Sequence, residues 1–302
     1  MKTYSDIVGD GGSRVVEQVV AQRQAIDEAL AGVGRLVAVG SGKGGVGKST
    51  LTLGLARALA GRGRRVAILD ADFNGPSQAR MAGLEGRPWL PGGRGLSLPR
   101  RTDGIGVVSV GSLLPDGHEL RFDTVSKGEQ HTWRGTREFA TLAQILATVE
   151  WGELDHLLLD LPPGAERTVQ FAEFLPGSTS FVLVTIPSEL AHGVVARSLT
   201  ALAGTGAPLA GYVENMAGYW CRDCGEVKPL FPQAAAPLDA PCLGRVPFDP
   251  ELAALCDAGW PEAAVPATSA ALAAVAAVAE NLERALAAAP SRSASPATEE
   301  VP

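Results

Sequence analysis

The sequence predicts a doubly wound α/β fold: a mostly parallel sheet with helices on both of its faces. Three observations carry that prediction. Seven short apolar runs recur along the 302 residues. Each run is a continuous stretch of β-branched and leucine residues rather than an alternating one, which is the pattern of a strand covered on both faces. Helical stretches lie between most of them. With 46% hydrophobic residues, the chain can bury one large core or two smaller ones.

In chain order, SRVVEQVVAQRQAIDEALAGVG has the spacing of an amphipathic helix, and residues 1–32 are expected to form an N-terminal helical extension. Strands are expected at 35–40 (RLVAVG), 65–70 (RVAILD), 105–111 (IGVVSVG) and 155–161 (DHLLLDL). Three more are expected at 180–186 (SFVLVTI), 208–215 (PLAGYVEN) and 242–247 (CLGRVP). KSTLTLGLARALAGRG and TREFATLAQILATVEWG are expected to be helices between strands. Residues 86–104 hold too much glycine and proline for regular structure. One domain is expected over 33–288, and residues 289–302 have the composition of a disordered tail. In such a fold, ligands sit at the carboxyl ends of the strands.

GSGKGGVGKST follows the first strand directly. Its frame G-x-x-x-x-G-K-[ST] runs Gly42, Lys43, Gly44, Gly45, Val46, Gly47, Lys48, Ser49, with Thr50 next. Strand, loop and helix stand in the order a phosphate loop requires. The glycines let backbone N–H groups turn inward, so that they and the helix start at Lys48 surround a triphosphate. Lys48 is expected to neutralise the β and γ phosphates and the Ser49 hydroxyl to ligate Mg²⁺. Lys43 lies inside the loop, where an ordinary phosphate loop needs no charge. A cation there is repelled by Lys48 unless it meets phosphate, either its own or that of a second subunit.

Two carboxylates complete the nucleotide site. Asp160 ends the apolar run of HLLLDLPPG, the position of an acid that holds Mg²⁺ through water, with Gly164 placed to approach the γ-phosphate. Asp70 and Asp72 follow the second strand in ILDADFNGPS; Asp72 is expected to orient the attacking water and Asp70 to be the more buried.

The net charge of -7 disfavours nucleic acid or an anionic membrane as the main partner. No apolar run reaches the ~18 residues of a membrane span. MKTYSDIVGDGG has no signal-peptide core, so a cytoplasmic location is expected. Four cysteines in a reducing compartment read as metal ligands or buried thiols rather than disulfides. The histidines, His118, His131, His156 and His192, form no ligand spacing.

Five blocks, GSGKGGVGKST, DADFNGPSQARMAGL, WGELDHLLLDLPPG, GYVENMAGYWCRDCGEVKPLF and LGRVPFDPELAALCDAG, run in that order over residues 33–260. Together they resemble the Mrp/ApbC-type iron–sulfur cluster carrier ATPases. That family is a branch of the deviant Walker A P-loop NTPases, SIMIBI-like in fold and related to MinD and the nitrogenase iron protein. The resemblance implies an ATPase that uses ATP and Mg²⁺, with Lys43 as a signature lysine reaching phosphate across a homodimer interface. It implies that Asn215, Pro247 and Asp249 border the adenine. It further implies a [4Fe-4S] cluster, apo iron–sulfur proteins as clients and cluster scaffold proteins as partners. The small and acidic residues usual after DLPPG in that family are replaced here by Ala165, Glu166 and Arg167.

YWCRDCGEVKPLF places Cys221 and Cys224 at C-x-x-C, a spacing at which two thiolates grip one metal, with Gly225 easing the knuckle. A tetrahedral zinc or a cubane cluster needs four protein ligands, which two subunits supply. A shared, exposed site suits a carrier that must hand its cluster on; the coordination arithmetic alone leaves zinc open. Cys242 and Cys256 are expected to be small buried residues. A nickel-type metal-insertion ATPase is the nearest alternative. A partition or division-site ATPase would share the Lys43 loop, but SAALAAVAAVAENLERALAAA has neither the membrane-binding nor the basic DNA-binding character it needs.

Overall fold

A computed structural model of the chain describes residues 15–113, 130–221, 223–231, 236–260 and 269–288. The opening helix α1 (Val15–Ala29) leads into β1 (Val33–Ser41), and α2 (Lys48–Gly61) into β2 (Val66–Asp70). A one-turn α3 (Gln78–Met81), the short β3 (Leu96–Ser97) and β4 (Gly106–Val108) follow, then a 3-10 turn at Val110–Leu113. Next come α4 (Gln130–Thr148), β5 (Val149–Glu150), β6 (Leu154–Asp160), α5 (Ala165–Phe174), β7 (Ser180–Thr185) and α6 (Glu189–Thr205). The chain closes with β8 (Leu209–Cys221), β9 (Glu226–Lys228), β10 (Cys242–Phe248), α7 (Pro250–Asp257) and α8 (Ala270–Ala288).

The main sheet runs β10-β8-β7-β1-β6-β2-β4, with every pair along that path parallel and β9 antiparallel on β8. The doubly wound parallel sheet expected from the apolar runs is therefore present, and all seven runs are strands of it. Alternate residues of one strand feed opposite layers, as a pleat requires. Val37 and Val39 face a layer built from Leu51, Leu55 and Leu59 of α2 and Val275 and Leu282 of α8. Leu36 and Ala38 face Leu142 and Leu146 of α4, Phe171 of α5 and Val195 of α6. Each leucine buried in this way contributes about 1.5–3 kcal/mol relative to exposure. Ile26 and Leu30 belong to the second layer, so the end of α1 packs on the sheet.

Two departures bear on the site. β8 continues to Cys221, six residues beyond the expected end at 215. Its pairing with β7 stops at Thr185↔Glu214, Met216 takes a positive φ of 53°, and the last residues pair with β9 instead. The strand thus runs past β7 into a hairpin with β9, while Tyr219 keeps its pairing with Phe248 of β10. In the glycine- and proline-rich 86–104 segment, Leu96–Ser97 forms a two-residue parallel pair with Val149–Glu150, too short to show any periodicity. The tail at 289–302 and His118 lie outside the described residues.

Candidate nucleotide and metal site

The carboxyl ends of β1, β2, β6 and β8 converge on the loop from Gly42 to Lys48. Gly47 adopts φ 78° as the residue before α2, and Asn215 on β8 donates from Nδ2 to the Val46 carbonyl at 2.8 Å. A Cβ on Gly47 would stand 2.2 Å from that Nδ2. Two independent constraints, the left-handed backbone and the close amide, thus demand glycine here. Gly47→Ala is expected to weaken nucleotide binding by about 10²-fold or more, because either the loop or Asn215 must give way; isothermal titration with ATP measures it.

Lys48 at the helix start is 7% exposed, and its Nζ lies 2.5 Å from Asp160 Oδ1 at the end of β6, itself fully buried. Thr52 donates to the same oxygen at 3.2 Å. Gln78 Nε2 donates to Asp160 Oδ2 at 2.8 Å and to the Ser49 carbonyl at 3.0 Å. The structure therefore brings Lys48, Ser49 and Asp160 together as expected and adds Thr52 and Gln78. Gln78 lies 82 residues from Asp160, and no spacing rule connects the two. Its Oε1 is buried without a hydrogen-bond partner, an acceptor aligned with the chemistry of a hydrated cation beside Ser49 and Asp160.

The second-strand carboxylates divide as expected. Asp70 is fully buried and accepts four bonds: from the N–H groups of Asp72, Ser77 and Gln78 and from the Ser109 hydroxyl. Burial, and then repulsion from Asp160, push it up to about 7. Asp70 thus shapes the loop that presents Asp72. Asp72 is half-buried and accepts from the Gly75 N–H at 3.2 Å. Desolvation raises its pKa, opposed by the positive charge of Lys48.

Gly164, with φ 123°, precedes α5 and donates its N–H to the Ser41 carbonyl at 2.8 Å, which ties the second loop to the first. Lys43 is half-buried, and among the described residues no carboxylate pairs with it. Gly44 and Gly45 are exposed, and Thr50 sits in the first turn of α2. Pro247 is buried next to Val246, the parallel partner of Asn215. The Asp249 carboxylate caps α7 through the Glu251 N–H at 3.0 Å and accepts from Ser269 Oγ at 2.5 Å, so both of its oxygens serve the fold.

Beyond Met216, the β8–β9 hairpin pairs Tyr219 with Lys228, Trp220 with Val227 and Cys221 with Glu226. Cys224 is exposed in the turn, and Gly225, at φ 68°, donates to the Cys221 carbonyl at 2.8 Å. The Cys224 backbone N–H, and then its side chain, hold the Cys221 thiol below its ordinary range, and both thiols raise Lys228. Such a knuckle favours thiolates, the form that binds metal. Among the described residues no group of three His, Cys, Asp or Glu is placed to hold a metal.

The other two cysteines split. Cys256 is buried, 4% exposed, with burial pushing its thiol up to about 11. Cys242, expected to be buried, is exposed: it opens β10, which ends the strand order of the sheet among the described residues. No helix among the described residues is long and apolar enough to cross a membrane.

A phosphate loop between a parallel strand and a helix, with its lysine held on a buried strand-end aspartate, defines a P-loop NTPase. Within that class the chain belongs to the ParA family, whose model, described as NUBPL iron-transfer P-loop NTPase, matches residues 32–283. It is 37% identical to the iron-sulfur cluster carrier protein of Saccharolobus solfataricus over 254 residues, 82% of each chain. It is 36% identical over 249 residues to the cytosolic Fe-S cluster assembly factor CFD1 of Eremothecium gossypii, covering 78% of this chain and 84% of that one. Among solved structures, the nucleotide-binding protein of Archaeoglobus fulgidus in complex with ADP aligns with a TM-score of 0.65 at 33% identity, over 78% of this chain and 91% of that one. The septum site-determining protein MinD of Pyrococcus horikoshii shares the fold at a TM-score of 0.56 and 19% identity, over 84% of this chain and 97% of it.

Proposed function

We propose that this chain is an ATP-hydrolysing iron–sulfur cluster carrier that holds a [4Fe-4S] cargo between two copies of itself and hands it to apo-proteins. One observation carries the reading: β8 bears both Asn215, bonded under the phosphate loop, and Cys221, the first thiol of the exposed knuckle. One strand would therefore join the nucleotide to the cargo; the names of the relatives support the cargo, and the ADP-bound neighbour supports the nucleotide. Cys221 and Cys224 of each copy would supply the four thiolates a cubane needs. Lys43, half-buried and without a partner carboxylate among the described residues, is the residue that would reach the phosphates of the second copy.

At the phosphate site, the N–H groups of Gly44 to Lys48 would cradle the nucleotide, with Lys48 shifting its charge from Asp160 to phosphate. Ser49, Asp160 and Gln78 Oε1 fit Mg²⁺ with its water shell, and Mg²⁺ would supply charge neutralisation of the phosphates. Asp72 would align the attacking water, and Gly164 would exchange its bond to Ser41 for one to the γ-phosphate. Hydrolysis is expected to be slow, because the task is switching.

The two carboxylates separate in a direct test. Asp160→Asn should weaken Mg²⁺-dependent ATP binding, while Asp72→Asn should retain binding and slow hydrolysis by about 10²-fold, as expected when a water-positioning group is lost. Normal turnover by Asp72→Asn would mean that another group positions the water. The cargo is tested by anaerobic loading with iron and sulfide in competition with nickel and zinc. Iron and sulfide retained in equal amounts support the carrier, whereas preferential nickel uptake would favour a metal-insertion ATPase.

A further inference from the structure

Two loops flank the phosphate site, and one buried carboxylate that belongs to neither of them joins the two. Glu138 lies on α4 and is 7% exposed. Its Oε1 accepts from Asn74 Nδ2 at 2.7 Å, and Asn74 stands two residues after Asp72 on the loop that follows β2. Its Oε2 is paired with the Arg167 guanidinium, three residues after Gly164 in the first turn of α5. Each oxygen thus serves one loop.

Arg167 is fixed independently of Glu138. It donates to Gln170 Oε1 at 2.9 Å, and its guanidinium carbon lies 5.5 Å from the Phe139 ring centre and 5.7 Å from that of Phe171. A guanidinium seated over a packed pair of rings loses attraction when it slides away. A nine-tenths buried carboxylate that loses its cation is left with an uncompensated charge, which is far costlier than losing an exposed pair. The same two loops are already tied at their roots, where the Ala71 N–H donates to the Asp160 carbonyl at 2.9 Å. Joined at root and tip, they resist moving separately.

We propose that Glu138 is a positioning residue that makes the Asp72 loop and the Gly164 loop respond to nucleotide as one unit, with Arg167 as the arm that carries a displacement of Gly164 to Asp72. This deepens the nucleotide-switch reading of the same site and rests on it. It also gives Arg167, which departs from the resemblance noted in the sequence, a specific task. When the start of α5 follows Gly164 toward phosphate, Arg167 draws Glu138, and Glu138 draws Asn74 with the loop that presents Asp72.

Hydrogen–deuterium exchange of the full-length protein, with and without Mg²⁺ and a non-hydrolysable ATP analogue, tests this without requiring turnover. In the wild type, segments 71–77 and 163–168 should gain protection together. In Arg167→Ala and Glu138→Gln, 163–168 should still respond, while the response of 71–77 falls several-fold. A glutamine amide carries no charge for Arg167 and no longer offers each loop its own acceptor oxygen. Arg167→Lys should restore part of the response. Asn74→Ala, at an exposed residue, makes the same comparison without disturbing the core. In steady-state assays the uncoupled variants should lose about 10-fold in kcat with KM for ATP little changed, since a group acting only after binding has been displaced. Undiminished protection of 71–77 in Arg167→Ala and Asn74→Ala, or a wild type in which the two segments respond separately or not at all, would overturn the proposal. A wild type that shows coupled protection but no ATP turnover would leave the coupling intact and sink the hydrolysis reading instead.

Discussion

Lys48→Ala is expected to abolish both ATP binding and hydrolysis, and Lys43→Ala to abolish hydrolysis while leaving binding within a few-fold of wild type. The difference follows from what each side chain touches. Lys48 is 7% exposed, and its ammonium lies 2.5 Å from the fully buried Asp160. Its removal takes the charge-assisted contact to phosphate and leaves Asp160 unpaired, a loss of about 3–5 kcal/mol for a broken buried pair. The thermal midpoint of Lys48→Ala should therefore drop as well. Lys43 is half-buried and has no partner carboxylate among the described residues, so truncating it leaves the fold unperturbed. A loss of turnover is then expected to reflect a lost contact with phosphate, its own or that of a second copy. Fluorescent-nucleotide titration and phosphate release, run on both variants, measure the two effects. Wild-type turnover in Lys43→Ala would remove the signature-lysine role.

The second large effect lies at the knuckle. Cys221→Ala and Cys224→Ala should each abolish the broad absorbance near ~400 nm and the iron uptake expected of a thiolate-held cubane, because one thiolate per chain leaves a shared cluster two ligands short. Cys256→Ala should matter only for packing: its thiol is buried and pushed up to about 11, which keeps it protonated and inert. Cys242→Ala should also load normally, although its exposure makes this the stricter control. ATP binding should survive all four substitutions, since the knuckle is a hairpin on β8 beyond the end of its pairing with β7, apart from the phosphate loop that opens α2. Full loading of the Cys221→Ala, Cys224→Ala double variant would place the ligands elsewhere. Zinc that resists exchange for iron would favour a structural knuckle.

The legible parts of this molecule were those that covalent spacing enforces. The phosphate loop, the strand-end Asp160 and the C-x-x-C pair each lie within a few residues of the element that positions them, so pattern alone locates them. Both faces of each central strand are buried, and the continuous apolar runs announced that. What stayed hidden depends on residues meeting from distant parts of the chain. Gln78 reaches Asp160, and Glu138 gathers Asn74 and Arg167, through tertiary packing that leaves no periodicity in the sequence. Asn215 donates to the Val46 carbonyl of the phosphate loop across 169 residues, again a contact with no local pattern. Cys242 was expected to be buried because it opens an apolar run, but whether a strand lies at an edge is set by sheet order, which the run does not encode. The unforeseen strands β3, β5 and β9 have two or three residues each, too few to alternate.

The central claim is that the cargo sits between two copies of the chain. Native mass spectrometry of the anaerobically reconstituted protein tests it most directly, because one spectrum reports both the number of chains and the inorganic mass they hold. Two chains carrying a single Fe₄S₄ mass, with the Cys221→Ala, Cys224→Ala variant devoid of it, are the expected result. A single chain carrying a complete cluster, or a dimer with one metal centre per chain, would contradict it.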